Sequence, residues 1–343
     1  MPTSFKKAGL SRGTAGAVAA TAIAGAATAL WVLHRARKAE RDNPPLGRFI
    51  EVDGVRLHFI DKGKGPVVVL LHGNAVQLQD FIGCGLIDRL AEHHRVIAFD
   101  RPGFGHSLRP RDRLWTAQAQ ATVIRQALVQ IDVKQPVVVG HSWGTLVALG
   151  LATEFPTEVR GLVLISGYYY PSARMDVALA TPVALPVLGD ALRYTVSPLT
   201  SRVMLRRSVE AMFAPAPMPD RYLDVVPREM LLRPMQIRAA AEDAAFMIPS
   251  AARFHAGYGA LKMPVSIFAG EGDKIVAPEA QSVRLHRDLP CSDLTVMPGA
   301  GHMVHYALAE EITNAIDRMS ADTDTKKIES RMSVDEVPLT IAD

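Results

Sequence analysis

The stretch that decides the fold is the decapeptide 137–146, Val137-Val138-Val139-Gly140-His141-Ser142-Trp143-Gly144-Thr145-Leu146. Its three β-branched residues predict a buried strand, and the run after Gly144 predicts a helix. A sharp turn between them strains the backbone at its apex, and Gly140 and Gly144 relieve the crowding because they have no Cβ. We therefore expect Ser142 to present its hydroxyl above a sheet at a helix N-terminus. The alternative is an ordinary Gly/Ser turn of another α/β protein.

The composition is that of a globular protein with a large core. The chain has 343 residues, of which 48% are hydrophobic and 21% charged, and a formal charge of +3. That length accommodates one large α/β domain with an insertion, or two smaller domains. The charge gives no indication of a nucleic-acid partner. Cys84 and Cys291 have no metal-ligand spacing and cannot form a disulfide framework.

An uncharged apolar segment at residues 15–33 precedes everything else. At about 1.5 Å per residue, a helix of this length just spans a bilayer core of roughly 30 Å. Basic residues flank it on both sides, and Trp31 takes an interfacial position. We expect residues 1–46 to be a single-pass membrane anchor and linker. Two alternatives are a signal peptide cleaved near 24–29, which would export the protein, and a helix that does not insert.

Strands and helices alternate along most of the remaining chain. Asp53-Gly54 predicts a hairpin between strands 49–53 and 55–61, and further strands are predicted at 67–71, 95–100, 137–141, 159–165, 264–270 and 292–297. Helices are predicted at 80–92, 115–131, 278–289 and 303–319. This pattern predicts an α/β fold with a mostly parallel eight-stranded sheet and helices on both faces.

One segment interrupts the alternation. Residues 168–262, called the cap segment here, are rich in Pro, Ala, Met and Arg and have helical periodicity without a buried-type strand. We expect them to form a helical lid over the carboxyl edge of a core made of 47–167 and 263–320. The charged, polar residues 321–343 are expected to be a disordered tail.

Gly-x-Ser-x-Gly between a strand and a helix resembles the nucleophile elbow of α/β-hydrolases. A serine nucleophile needs a base and an acid that orients the base. In the chain order of that fold the base follows the last strand, where a Gly-rich loop ends in His302. The acid is expected after the strand ending near 270, where Asp273 is preferred over Glu271. The alternative for Asp273 is an ordinary turn residue.

Further residues are assigned from the same loops. The backbone N–H groups of Trp143 and Asn74 are the expected oxyanion donors. Candidate substrate contacts are His141, Tyr168 and His305, although each also has a structural interpretation as a packed side chain. The loop 100–107 is interpreted as a scaffold turn. The histidines interpreted as surface or helix residues are His58, His93, His94, His255 and His286.

Residues 47–320 look like the α/β-hydrolase fold superfamily, in particular its capped serine hydrolase and esterase group. The motifs are His72-Gly73-Asn74, the loop 100–107, the elbow 140–144, Asp273 and Gly301-His302. The pattern is epoxide-hydrolase-like, yet epoxide hydrolases and haloalkane dehalogenases use aspartate where this chain has Ser142. The resemblance therefore implies an esterase, lipase, lactonase, thioesterase or carbon–carbon bond hydrolase.

The expected function is hydrolysis of an apolar carboxylic ester through an acyl-enzyme, with a triad of Ser142, His302 and Asp273. No metal or organic cofactor and no nucleic acid is implied, and the expected partners are a small-molecule substrate and the membrane. The nearest alternative is a carbon–carbon bond hydrolase of ring-cleavage products, or a lactonase or thioesterase. An alternative of another class is a non-catalytic binding protein that retains the fold.

Overall fold

An eight-stranded sheet forms the centre of the computed structural model, which describes residues 12–173 and 175–321. The strands lie in the order β1-β2-β4-β3-β5-β6-β7-β8. Strand β2 pairs antiparallel with β1 and β4, and all the other pairs are parallel. The strands are β1 (Arg48–Val52), β2 (Val55–Lys62), β3 (Val67–Leu71), β4 (Arg95–Phe99), β5 (Val137–His141), β6 (Gly161–Ile165), β7 (Val265–Gly270) and β8 (Ser292–Met297). The predicted mostly parallel eight-stranded sheet is confirmed.

Helices cover both faces of this sheet because its central strands are apolar on both sides. In β5, Val138 pairs with Val69 of β3 and Leu162 of β6, and every residue of β5 is buried. One face packs against α4 (Ala117–Gln130) and α5 (Trp143–Glu154). The other packs against α2 (Gln79–Gly83), α3 (Leu86–Leu90) and the C-terminal helix at 309–321. Continuous burial of this kind is typical of parallel strands.

Three predicted helices differ in the structure from their prediction. The helix predicted at 80–92 is divided into α2 and α3, since Gly85 between them has a φ of 76° that no right-handed helix contains. The helix predicted at 303–319 begins later, at 309, after a separate 3₁₀ turn at Val304–Tyr306. Likewise 278–289 contains a π-helical turn, Glu279–Val283, before the short helix α12 (Arg284–Asp288).

Between β6 and β7 the described residues form helices and no strand. They are α6 (Met175–Ala184), α7 (Leu188–Tyr194), α8 (Val196–Phe213), α9 (Tyr222–Val225), α10 (Arg228–Leu231) and α11 (Pro234–Phe254), followed by a 3₁₀ turn at His255–Ala260. Helix α11 packs against α5, which begins directly after Ser142. The cap segment therefore packs on the helix that follows the predicted nucleophile.

The N-terminal helix α1 (Arg12–Asp42) extends beyond the predicted apolar segment. The helical segment 16–42 has the length and the apolar composition needed to cross a membrane, two properties that a signal sequence can also have. The end of α1 contacts the cap segment: Val32 and Ala39 are buried, and Glu40 forms an ion pair of 2.8 Å with Arg233. Of the tail predicted at 321–343, residue 321 ends the C-terminal helix, and residues 322–343 lie outside the described residues.

Candidate active site

The turn from β5 to α5 has the strained backbone that its sequence predicts. Ser142 has φ 51° and ψ −121°, a combination that L-residues adopt only where the surrounding structure imposes it. A Cβ on Gly144 would lie 2.1 Å from the carbonyl oxygen of Leu71, so a larger residue cannot occupy that position unless the backbone moves. The close approach of β3 to the start of α5 is therefore possible only with glycine.

Ser142, His302 and Asp273 form a continuous chain of hydrogen bonds. Ser142 Oγ lies 2.8 Å from Nε2 of His302, and His302 Nδ1 lies 2.8 Å from Oδ2 of Asp273. His302 and Asp273 are almost fully buried, while Ser142 is partly exposed. This arrangement can withdraw a proton from a serine hydroxyl that solvent or a ligand can reach.

The loop after β7 holds the carboxylate of Asp273 in place. Asp273 Oδ1 accepts backbone N–H groups from Ile275 at 2.8 Å and Val276 at 2.9 Å, which leaves Oδ2 for the imidazole of His302. Glu271, the alternative acid, is exposed, and its backbone N–H donates to the carbonyl of Met297. Of the two acids, Asp273 is the one hydrogen-bonded to His302.

Of the two predicted oxyanion donors, Trp143 lies at the start of α5 and Asn74 on the 72–74 loop. Trp143 is the first residue of α5, and first-turn N–H groups have no acceptor within their own helix. A Cβ built on Gly73 would lie 3.1 Å from Ser142 Cβ, so the 72–74 loop adjoins the nucleophile. The Asn74 side chain is turned to the cap segment, where its Nδ2 donates to the carbonyl of Ala240 at 3.1 Å.

Arg101 fixes the conformation of the 72–74 loop, a role that sequence reasoning missed. Its guanidinium is fully buried and donates to the carbonyl of His72 at 2.7 Å and to that of Gly73 at 2.9 Å. The backbone N–H of Arg101 donates to His72 Nε2 at 3.0 Å. Burial is the main cause that lowers the pKa of His72 to about 4, so the imidazole is neutral and accepts this bond.

The same guanidinium connects the active-site loop to the cap segment. Arg101 Nη1 lies 2.7 Å from Oδ2 of Asp243 on α11, and both side chains are fully buried. The backbone carbonyl of Asp243 accepts the indole N–H of Trp143 at 2.8 Å. No local signal in α11 identifies Asp243, since it is one acidic residue in an amphipathic helix.

The loop 100–107 braces the strand ends, as its interpretation as a scaffold turn predicts. Asp100 is buried and accepts from the ring of His58 at 2.7 Å and from the backbone N–H groups of Leu78 and His106. The interpretation of His58 as a surface or helix residue is wrong, because it lies fully buried on β2. Its ring bonds the carboxylate of Asp100 and packs edge-on against the ring of His106.

His141 and His305, two candidate substrate contacts, are fully buried next to Asp80. His305 Nε2 lies 3.0 Å from Asp80 Oδ2, and His141 Nε2 lies 3.2 Å from the carbonyl oxygen of His302. Burial is the largest cause that lowers the pKa of His141 well below its ordinary value. Among the described residues, the ligand atoms of Asp80, His141 and His305 lie within 4.8 Å of one another, close enough to share a metal ion.

Tyr168, the third candidate substrate contact, is also buried. Its hydroxyl accepts the backbone N–H of Ser172 at 2.7 Å and donates to the carbonyl of the same residue at 3.1 Å. The ring packs in the larger of the two core layers. These contacts hold together the start of the cap segment.

A cleft of about 500 Å³ lies between the cap helices and the 72–74 loop. Asn74 and Ala75 form its wall on the sheet side. Helices α8 and α11 supply most of the remaining lining, which includes Ser197, Thr200, Ser201, Met204, Leu205, Ile237, Ala240 and Ala244. The cleft is therefore mostly apolar, with hydroxyl groups on one side.

The chain matches one protein family, and the proteins similar to it have several different functions. The family model described as alpha/beta hydrolase fold matches residues 66–307. Haloalkane dehalogenase 2 of Mycobacterium tuberculosis is 27% identical over 78% of this chain and 93% of its own length. A 2-hydroxymuconate semialdehyde hydrolase of Pseudomonas putida is 27% identical over 83% and 98%. The structure of an esterase from Thermogutta terrifontis superposes with a TM-score of 0.63 at 22% identity, covering 79% of this chain and 97% of the esterase.

Proposed function

This chain belongs to the α/β-hydrolase fold family, and from that premise we propose that it is a serine hydrolase that cleaves carboxylic esters. The observation that carries the proposal is the hydrogen-bonded sequence Ser142–His302–Asp273, with 2.8 Å at each step. Hydrolase chemistry is common to the named relatives, whereas the ester bond is the specific part of this proposal.

The first half of the proposed reaction forms an acyl-enzyme. Ser142 Oγ attacks the ester carbonyl carbon while Nε2 of His302 takes its proton. The carbonyl oxygen becomes an oxyanion, which the backbone N–H groups of Trp143 and Asn74 stabilise. Losing one such donor costs on the order of 10²–10³ in rate in other enzymes. His302 then gives the proton to the departing alkoxide, and the alcohol leaves.

The second half releases the acid. Water attacks the acyl carbon as His302 Nε2 takes a proton from it, and the collapse of the second tetrahedral intermediate returns that proton to Ser142 Oγ. Asp273 keeps hydrogen on Nδ1 of the imidazole throughout, so that Nε2 is the basic nitrogen when the cycle begins. The net reaction converts the ester and water into the acid and the alcohol.

The nature of the nucleophile distinguishes this proposal from dehalogenase chemistry. The elbow of a dehalogenase of this fold resembles the elbow of this chain, but it has aspartate at the position of Ser142. A serine hydroxyl needs the general base for its own activation, and His302 lies at hydrogen-bond distance from it. Ester cleavage therefore fits the elbow of this chain better than halide displacement.

A second candidate function is hydrolysis of a carbon–carbon bond in a ring-cleavage product. The similarity to a 2-hydroxymuconate semialdehyde hydrolase, which covers 98% of that protein and 83% of this chain, favours it. The same serine and histidine would serve that reaction, so the triad geometry alone does not separate the two. A lactone is a cyclic ester whose alcohol stays attached to the acyl group, and a thioester releases a thiol instead of an alcohol, so both fall within the same mechanism.

The proposed substrate is apolar and the proposed location is the membrane. The cleft beside Asn74 is lined mainly by Ala, Leu, Ile and Met side chains, which suit an acyl chain.

We propose α1 as an uncleaved anchor and residues 168–262 as the cap over the site. Retention of the N-terminus in a membrane fraction resistant to carbonate extraction supports the anchor, whereas a soluble, N-terminally cleaved protein refutes it.

A substrate panel tests the proposed reaction. Purified enzyme is assayed on p-nitrophenyl esters of increasing acyl length and on a vinylogous diketone, with Ser142→Ala as control. We expect ester turnover that Ser142→Ala abolishes without unfolding the protein. Turnover of the dienone alone establishes the second candidate, and full activity of Ser142→Ala refutes the nucleophile.

A further inference from the structure

Helix α8 has an exposed apolar stripe that no other described element covers. Val196, Leu199 and Val203 are spaced as i, i+3 and i+7, which places them on one helical face, and they are between 45% and 81% exposed. Solvent-facing apolar residues at helical spacing differ from the scattered exposed residues found on any protein surface. The stripe is followed at its C-terminal end by two exposed basic residues, Arg206 and Arg207.

A second group of exposed apolar residues lies in the connection from α6 to α7. Leu185, Val187 and Leu188 are 48%, 80% and 48% exposed. Helices α7 and α8 pack against each other, separated only by Thr195. We call the six side chains of the two groups the cap apolar face. They are Leu185, Val187, Leu188, Val196, Leu199 and Val203.

The apolar part of α1 leaves the protein beside this face. The ring of Trp31 lies 5.5 Å from the guanidinium of Arg202 on α8, and α1 also contacts α7. Arg35, one turn further along α1, forms an ion pair of 3.1 Å with Glu229. Only 6% of the most apolar 18 residues of α1 are buried, so this part of the helix extends away from the protein with its apolar side chains exposed.

We propose that the cap apolar face is a membrane-docking surface that lies on the lipid bilayer that receives α1. A helix that enters a bilayer at Trp31 brings the adjoining surface of α8 to the headgroup region, where tryptophan rings are preferred. An apolar stripe ending in arginines is the pattern of a helix lying in the interface. The apolar side chains enter the acyl region and the exposed guanidinium of Arg207 binds anionic headgroups, while that of Arg206 also pairs with Glu210.

The docked face borders the opening of the substrate cleft. Thr200 and Met204 of α8 line the cleft that reaches Asn74, and they adjoin Leu199 and Val203 of the face in sequence. A bilayer against α8 therefore lies next to this cleft, which reaches Asn74 on the loop that adjoins Ser142. This consequence, which rests on the proposed ester hydrolysis, is that the enzyme takes esters dissolved in the membrane.

Depth measurements on the full-length protein test the docking surface directly. A bimane label is placed at Val203→Cys, with both native cysteines replaced by serine (Cys84→Ser and Cys291→Ser), and the protein is reconstituted in vesicles of phosphatidylcholine and phosphatidylglycerol. Lys134→Cys, on the α4–β5 connection, is the matched control because that residue is exposed and distant in sequence from the cap segment. We expect doxyl-labelled lipid to quench the label at 203 but not at 134. Equal, aqueous behaviour of both labels overturns the proposal.

A kinetic comparison tests the consequence for substrate. In Leu199→Asp/Val203→Asp, neither replaced side chain lines the cleft. We expect kcat/KM for a long-chain ester held in vesicles to fall about tenfold, while that for water-soluble p-nitrophenyl acetate stays unchanged. Equal kcat/KM of the variant and the wild type on the vesicle ester refutes membrane uptake. Absence of hydrolysis of both esters by the wild type refutes the proposed function, and the label measurement still decides the docking surface.

Discussion

Replacing Asp273 by asparagine separates the orienting role of the carboxylate from its position. Asp273 Oδ1 accepts two backbone N–H groups at 2.8 and 2.9 Å, and Oδ2 lies 2.8 Å from His302 Nδ1. In Asp273→Asn the amide oxygen has to remain with the two N–H donors, because an NH₂ group there would face two donors. The amide NH₂ is therefore directed at His302 Nδ1.

That NH₂ group selects the unproductive tautomer of the imidazole. Nδ1 of His302 becomes an acceptor, so Nε2 carries the hydrogen and can no longer take a proton from Ser142. The corresponding substitution in a serine protease lowers kcat by about 10⁴. We expect kcat to fall by about 10³–10⁴, equivalent to about 4–5.4 kcal/mol of activation free energy, with little change in KM.

The assay is steady-state hydrolysis of a p-nitrophenyl ester, with circular dichroism to verify that the variant is folded. Glu271→Gln is the matched control, because Glu271 lies in the same loop but is exposed. Its kcat is expected to equal that of the wild type. The reasoning is refuted if Asp273→Asn retains kcat within tenfold of the wild type, or if Glu271→Gln causes the larger loss.

Two further predictions concern stability. Asp243→Asn leaves the buried guanidinium of Arg101 without its carboxylate and should reduce the free energy of unfolding by about 3–5 kcal/mol in urea titrations. The control Arg206→Ala breaks the surface pair with Glu210 and should change the free energy of unfolding by less than about 0.5 kcal/mol. Equal effects of the two substitutions would contradict a stabilising role of the Arg101–Asp243 ion pair. Burial lowers the pKa of His72 to about 4, so the unfolded chain binds more protons between pH 6.5 and 4. Stability should therefore fall as the pH drops through that range, with His72 contributing up to about 3 kcal/mol, and a constant free energy of unfolding from pH 7 to 4.5 would contradict this.

The sheet was predictable because its strands are short apolar runs separated by turn signals. Strand β5 and the elbow are encoded within ten consecutive residues, 137–146, so local pattern is sufficient there. The positions of His302 and Asp273 could also be predicted, since each residue occupies a loop directly after a recognisable strand. Their convergence on Ser142 follows from parallel strands ending at one edge.

Contacts between distant segments were not predictable in the same way. Arg101 and Asp243 are 142 positions apart, and nothing in the periodicity of either segment indicates their ion pair. Asp80 lies 225 positions from His305, with which it shares a buried hydrogen bond. The break at Gly85 was missed because glycine is tolerated within many helices, and only the positive φ there shows that the helix ends.

The most direct test of the account is covalent labelling by a fluorophosphonate. This reagent phosphonylates a serine Oγ only when a neighbouring base activates it, and peptide mass spectrometry locates the modified residue. The account predicts stoichiometric labelling of the folded protein at Ser142, abolished in His302→Ala and in Ser142→Ala. A folded, full-length protein that is unlabelled, or labelled at a serine other than Ser142, contradicts it.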